Sequence, residues 1–260
     1  MANYKANKFP LLTIAMDGSV VGYDAMAKAH ILSEKDFASD ISVGPDGTLW
    51  VVSTTPDPDE GGNKIYWSDG DSKWNEISDT APGGFRISGC ENGSCVYITN
   101  KYELYSINEA KQSQKLADNI YEVDYGGGYY WAMIPKQVGA APVLQFASAD
   151  HLPLQWTIFK GDVVANSPSA TDGVCLGLVN EIPTIFDLKT QTQKPVYNGI
   201  KQTALQISSK TTTNAILSFE ASAEGNEVLV LSASPGVPMA YRPVADIKAI
   251  KVTTSYFIPV

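Results

Sequence analysis

The sequence predicts an all-β protein: a six-bladed β-propeller of four-stranded antiparallel blades, closed by N- and C-terminal strands in one blade. Three observations lead there. Short alternating runs bounded by turn residues recur along the whole chain, which is the pattern of half-buried strands. No stretch sustains helical periodicity beyond about two turns, Ala25–Leu32 and Glu109–Lys115 being the only weak candidates. The hairpins also return at a near-constant interval. Taking the strand that opens each hairpin as landmark (Ile41, Phe85, Ile120, Val163, Ala204, Ile247), the spacings are 44, 35, 43, 41 and 43 residues. Four strands every ~40–45 residues is the length of a propeller blade.

The elements follow in order. Gly44-Pro45-Asp46-Gly47 is a turn leading into the β-rich run Thr48–Ser53, with third and fourth strands at Lys64–Ser68 and Lys73–Ile77. Asn92-Gly93 joins Phe85–Gly89 to Val96–Thr99 as a two-residue turn, since both positions need positive φ. Such a turn sets Cys90 opposite Cys95, close enough for a disulfide, with two buried thiols in the reduced state as the alternative. Gly126-Gly127-Gly128 turns Tyr121–Val123 into Tyr129–Ile134, and later blades repeat the plan. Residues 11–34 read as strands two to four of a blade, with the first supplied by Ile247–Val252 or Ser255–Val260. Closure of this kind removes exposed sheet edges. A single domain over residues 1–260 is expected.

The blade at 40–77 carries a family likeness. Asp40-Ile-Ser-Val-Gly-Pro-Asp-Gly-Thr-Leu-Trp50, Lys64-Ile-Tyr66-Trp67 and Lys73-Trp74-Asn-Glu-Ile77 resemble a tectonin repeat, the blade of a family of propeller lectins. The other units are degenerate, keeping Asp17-Gly18, Asp172-Gly173, Trp131 and Trp156. The resemblance implies glycan or glycoconjugate partners, held non-covalently between blades or on one face. A protein-binding scaffold is the alternative.

Sugars are bound by aromatic faces together with convergent polar groups. In the second strand Trp50 aligns with Tyr97, Trp131, Leu176 and Leu217, an apolar column expected in the core. In the third strand Trp67 aligns with Ser106, Gln145, Asp187 and Gly22, a small or polar column, so Trp67 is expected to lack packing counterparts. The expected carbohydrate-binding residues are Trp67, Tyr66, Asp69 and Trp74 of the best blade, with Tyr129 from a later hairpin.

Other chemistries have little to stand on. The net charge of −9 disfavours nucleic acid and anionic lipid. No run approaches 18 consecutive apolar residues, so no membrane insertion is expected. The first residues lack an apolar leader, so a cytoplasmic location, or export without a signal peptide, is expected. Two histidines and three cysteines make no metal set, and no cofactor is expected. The acidic stretch Asp57–Asn63 could hold calcium only through irregular ligands, without EF-hand spacing. Nucleophile elbow, phosphate loop and zinc-protease motifs are missing, so no enzymatic activity is expected.

Overall fold

A computed structural model of the chain describes residues 9, 11–24, 26, 28–57, 61–70, 73–78, 82–171, 173–195, 207–208, 216–222, 225–232 and 240–254. Among these there are only strands, turns and loops. The chain divides into two compact units, residues 1–123 with 253–260 and residues 124–252.

In the first unit, β1 (Leu11–Ala15), β2 (Val20–Tyr23) and β3 (Ala29–Ile31) form a meander. Next come β4 (Ala38–Val43), β5 (Leu49–Pro56), β6 (Asn63–Ser68) and β7 (Asn75–Glu76), paired in chain order. A like sheet follows from β8 (Arg86–Gly89), β9 (Cys95–Ile98), β10 (Leu104–Ile107) and β11 (Ser113–Ala117). Both helical candidates are replaced by turns and strands: β3 lies within 25–32, and residues 109–117 form a tight turn and β11.

Strand alternation explains the Leu-Trp-Val-Val run of β5. Successive side chains point to opposite faces, so a strand covered on both sides reads as continuously apolar. Leu49 and Val51 join Phe9, Leu12, Ile14, Val20, Ile41 and Val43 in one core. Trp50 and Val52 join Ile65, Ile87, Cys95, Tyr97 and Ile107 in another.

The innermost strands of neighbouring sheets are joined through their backbones. Asp40 on β4 is 1% exposed, accepts the Ile41 N–H through Oδ1 at 3.0 Å, and accepts the Ile87 N–H of β8 through Oδ2 at 3.0 Å. Ser42 Oγ accepts the Gly89 N–H at 3.0 Å. Gly89 is glycine because a Cβ there would lie 2.4 Å from the Gly44 nitrogen.

In the second unit, β12 (Glu122–Gly126), β13 (Tyr129–Pro135), β14 (Pro142–Ser148) and β15 (Thr157–Ile158) form one sheet. Another holds β16 (Asn166–Thr171), β17 (Val174–Val179), β18 (Ile182–Asp187) and β19 (Thr192–Pro195). Their shared core is Trp131, Met133, Leu144, Phe159, Val163, Ala170, Cys175 and Phe186. The same joint recurs: Asp124 Oδ2 accepts the Ala170 N–H at 2.7 Å. The chain continues through β20 (Ile207–Ser208), β21 (Ile216–Ser222), β22 (Gly225–Ser232) and the 15-residue β23 (Ala240–Thr254).

The expected count of six blades is corrected by the strand order. Four sheets have four strands, and the fifth is a seven-stranded sheet ordered β20-β21-β22-β23-β1-β2-β3. Among the described residues there are therefore five blades. β23 is long enough to pair with β22 along residues 240–248 and still lie beside β1, so two stretches that the periodicity counts separately run on as one sheet. Of the expected landmarks and closing strands, Ala204 and residues 255–260 lie outside the described residues.

A second difference concerns the partner of Cys95. Asn92 and Gly93 have φ of 57° and 62°, as a type I′ turn requires, and the Ser94 N–H reaches the Glu91 carbonyl. Gly89, however, is the partner of Cys95, and the Cys90 N–H bonds to the Ser94 carbonyl. This one-residue bulge takes Cys90 out of register with Cys95, and all three cysteines are free and buried.

Candidate functional site

The tectonin-like blade places its expected residues on two faces. Tyr66 and Trp67 are adjacent on β6 and so point opposite ways. On one face, Phe37 lies 5.3 Å from the Tyr66 ring and 5.2 Å from the Trp74 ring. Tyr66 donates its hydroxyl to Glu76 Oε2 at 3.0 Å, and Trp74 Nε1 donates to the Leu32 carbonyl at 2.8 Å. Burial, then the neighbouring Glu76 carboxylate, push the Tyr66 phenol up. Both polar tips are thus engaged within the protein.

On the other face, Trp67 packs half-buried against the core of Trp50 and Tyr97. The register corrects the expectation that it lacks counterparts. Trp50 pairs with Trp67, Tyr97 with Tyr105, Trp131 with Phe146, and Leu176 with Ile185. The true column is apolar and half-buried in all four sheets. Aligning Trp67 with Ser106 and Gln145 is a slip of one residue, and one residue exchanges the faces of a strand. The second-strand residues Trp50, Tyr97, Trp131 and Leu176 are buried, as expected for the core, and Leu217 lies among side chains outside the described set.

Asp69 is exposed at the end of this face, beyond β6. Tyr129 belongs to the second unit, where it packs on the Trp131 core with its ring 6.5 Å from Phe146. Four of the five expected residues therefore share a blade, Tyr66 and Trp74 around Phe37 on one face and, on the other, Trp67 and Asp69.

That environment contains a residue the sequence reading missed. Lys111, in the β10–β11 turn, sets Nζ 4.8 Å from the Trp50 ring centroid and 4.5 Å from that of Trp67, and donates to the Gly93 carbonyl at 2.6 Å. Burial pulls its pKa down, while Cys95, Asp46, Asp69 and Glu109 push it up. Asp46 organises the floor: Oδ1 accepts the Thr48 N–H at 3.0 Å, and Oδ2 accepts the Gly93 N–H. A signal was present in the short stretch Asn108–Gln112, where Asn108 Oδ1 takes the Gln112 N–H and closes a turn instead of a helix.

At the opposite end of β8–β11, three large aromatics are exposed. Phe85 is 45% exposed, Tyr102 43% and Tyr121 39%. Phe85 precedes β8, its N–H bonded to the Ile98 carbonyl at 2.7 Å, which puts it beside the β9–β10 turn that bears Tyr102. The Tyr102 and Tyr121 rings stack at 4.5 Å and 22°, and the Arg86 guanidinium lies 4.4 Å from the Phe85 centroid. Tyr102 has φ of 61°, a left-handed conformation costly for a bulky side chain. The Thr99–Glu103 turn holds it there: the Tyr102 N–H bonds to Thr99 O, and its carbonyl accepts the Ile120 N–H at 2.9 Å. Sequence alone did not separate these tyrosines from core ones.

Among the described residues, no group of three or more His, Cys, Asp or Glu could hold a metal ion. Residues 58–60 of the acidic stretch lie outside that set.

No protein-family model and no curated protein matches the chain. Solved structures do. A chain in the crystal structure of a nidogen/laminin complex matches with a TM-score of 0.64 at 9% identity, covering 94% of this chain and 97% of that one. The fold is a β-propeller. A chain of the mitotic checkpoint complex matches with a TM-score of 0.60 at 11% identity, covering 98% of this propeller and 82% of its own length. At such identities the likeness is one of fold alone.

Proposed function

We propose that this propeller is a non-catalytic binding protein whose partner is another protein, engaged through the end that carries Phe85, Arg86, Tyr102 and Tyr121. The carrying observation is the stacked Tyr102–Tyr121 pair, held in solvent by a left-handed backbone. Exposed aromatics beside an arginine are the residues that dominate protein interfaces, because they offer large, stiff area with polar tips. The two fold neighbours above come from complexes named for protein assemblies, which agrees with a scaffold role.

Carbohydrate binding is the second reading, supported by the tectonin-like blade and the half-buried Trp67. Against it, Lys111 lies over the Trp67 ring, and Tyr66 and Trp74 spend their polar atoms internally. One experiment separates the readings. Wild type, Tyr102→Ala/Tyr121→Ala and Trp67→Ala are each passed over a glycan array and used as bait in cross-linking pull-downs. The proposal expects a blank array and a protein captured by wild type and Trp67→Ala but lost by the tyrosine pair. A narrow glycan set bound by wild type and the tyrosine pair, and lost in Trp67→Ala, overturns it.

A further inference from the structure

The recess beside Trp67 already holds a cation, supplied by the chain itself. Two indole faces converge on the Lys111 ammonium at 4.8 and 4.5 Å. Such contacts strengthen as water is excluded from them. The carboxylates of Asp46, Asp69 and Glu109 all act on the same charge. Lys111 also has φ of 64°, where glycine or asparagine costs least, so the turn is bent to deliver a long basic side chain to this point. Asp69 and Glu109 are exposed and Lys111 and Trp67 half-buried, so the recess opens to solvent.

We propose that this recess is an organic-ammonium site in which Lys111 is the resident occupant, replaced by a lysine-type or quaternary ammonium of a ligand. Aromatic faces with carboxylates nearby recognise that class of group, whose charge both attract. The site is separate from the tyrosine end and does not depend on it. A tethered amine competes at an effective concentration of about millimolar or more, so a free ammonium binds wild type weakly.

The test uses tetramethylammonium chloride against sodium chloride at equal ionic strength, read by the indole signals of Trp50 and Trp67. In Lys111→Ala the perturbation is expected at a concentration at least about tenfold lower than in wild type, and Trp67→Ala in that background abolishes it. A second measurement uses wild type alone: acetylation of Lys111 by an N-hydroxysuccinimide ester, followed by mass spectrometry. Tetramethylammonium should raise that rate at least about twofold while other lysines stay unchanged, because displacement exposes the amine. A folded Lys111→Ala protein that does not distinguish the two salts overturns the proposal. If that variant does not fold, an unchanged acetylation rate in wild type overturns it.

Discussion

Replacing Asp40 tests whether the seam between sheets depends on a buried acceptor. In Asp40→Ala the Ile87 N–H, on a residue only 6% exposed, loses the oxygen that holds it at 3.0 Å. Ile87 sits on the innermost strand, and this N–H points away from β9, so the ladder offers no substitute. A hydrogen bond to a charged group contributes about 1.5–3 kcal/mol, and an orphaned buried donor costs about 1–3 kcal/mol. Relief of the carboxylate's own burial offsets part of this. The expected loss is about 3 kcal/mol, or a fall in Tm of about 6–12 °C at 2–4 °C per kcal/mol. Asp40→Asn retains one acceptor oxygen and should lose about half as much. Urea unfolding followed by far-UV circular dichroism reads both, with m compared to confirm that the native state is unchanged. An Asp40→Ala midpoint within about 0.5 kcal/mol of wild type, or equal losses for Ala and Asn, would refute the reasoning.

Other expectations follow from the same geometry. Gly126→Ala places a Cβ 2.4 Å from the Ala170 carbonyl carbon and oxygen, which are backbone, so it should cost about 2 kcal/mol or more in thermal unfolding. Trp67→Ala strips a half-buried ring from the Trp50–Tyr97 core and should destabilise by about 2 kcal/mol, where a free-standing ligand platform would cost almost nothing. The three buried thiols, with Cys95 pushed well up by burial, should resist Ellman's reagent in the native protein at pH 8 and all react in denaturant. Asp24 is held below the usual carboxylate range, first by its hydrogen bond with His30 and then by the Lys28 N–H. A depressed folded pKa stabilises above the unfolded value and is lost as pH falls through the folded one. His30→Ala should therefore raise the Asp24 pKa in carboxyl NMR titrations and flatten that part of the acid limb.

Local chemistry was readable where a turn or an alternation had only one good solution. Asn92-Gly93 takes the two positive φ angles its side chains allow, and Leu49–Val52 is buried on both faces as a continuous apolar run must be. What escaped was decided by pairing between strands. A 15-residue strand looks, in sequence, like the end of one blade and the start of the next, so the sheet count came out one too high. The bulge at Cys90 and the true partners of Trp67 are matters of register, which a single residue alters while composition stays the same. Asn108 marks the turn that bears Lys111, but nothing local marks the lysine itself, whose importance lies in two tryptophans 44 and 61 positions earlier.

The seam between sheets also bears on why the repeats look so unlike one another. Asp40 and Asp124 each hand a carboxylate to a backbone N–H, not to a side chain. The donor strand must supply a side-chain acceptor, but the hydrogen bond itself asks nothing of the receiving residue except that it not be proline. The joint therefore does not by itself fix the side chain of the residue it holds. Drift in sequence is thus permitted by the joint itself, which at positions 87 and 170 asks only for a backbone hydrogen, while the choice of side chain there is left to the core it packs in.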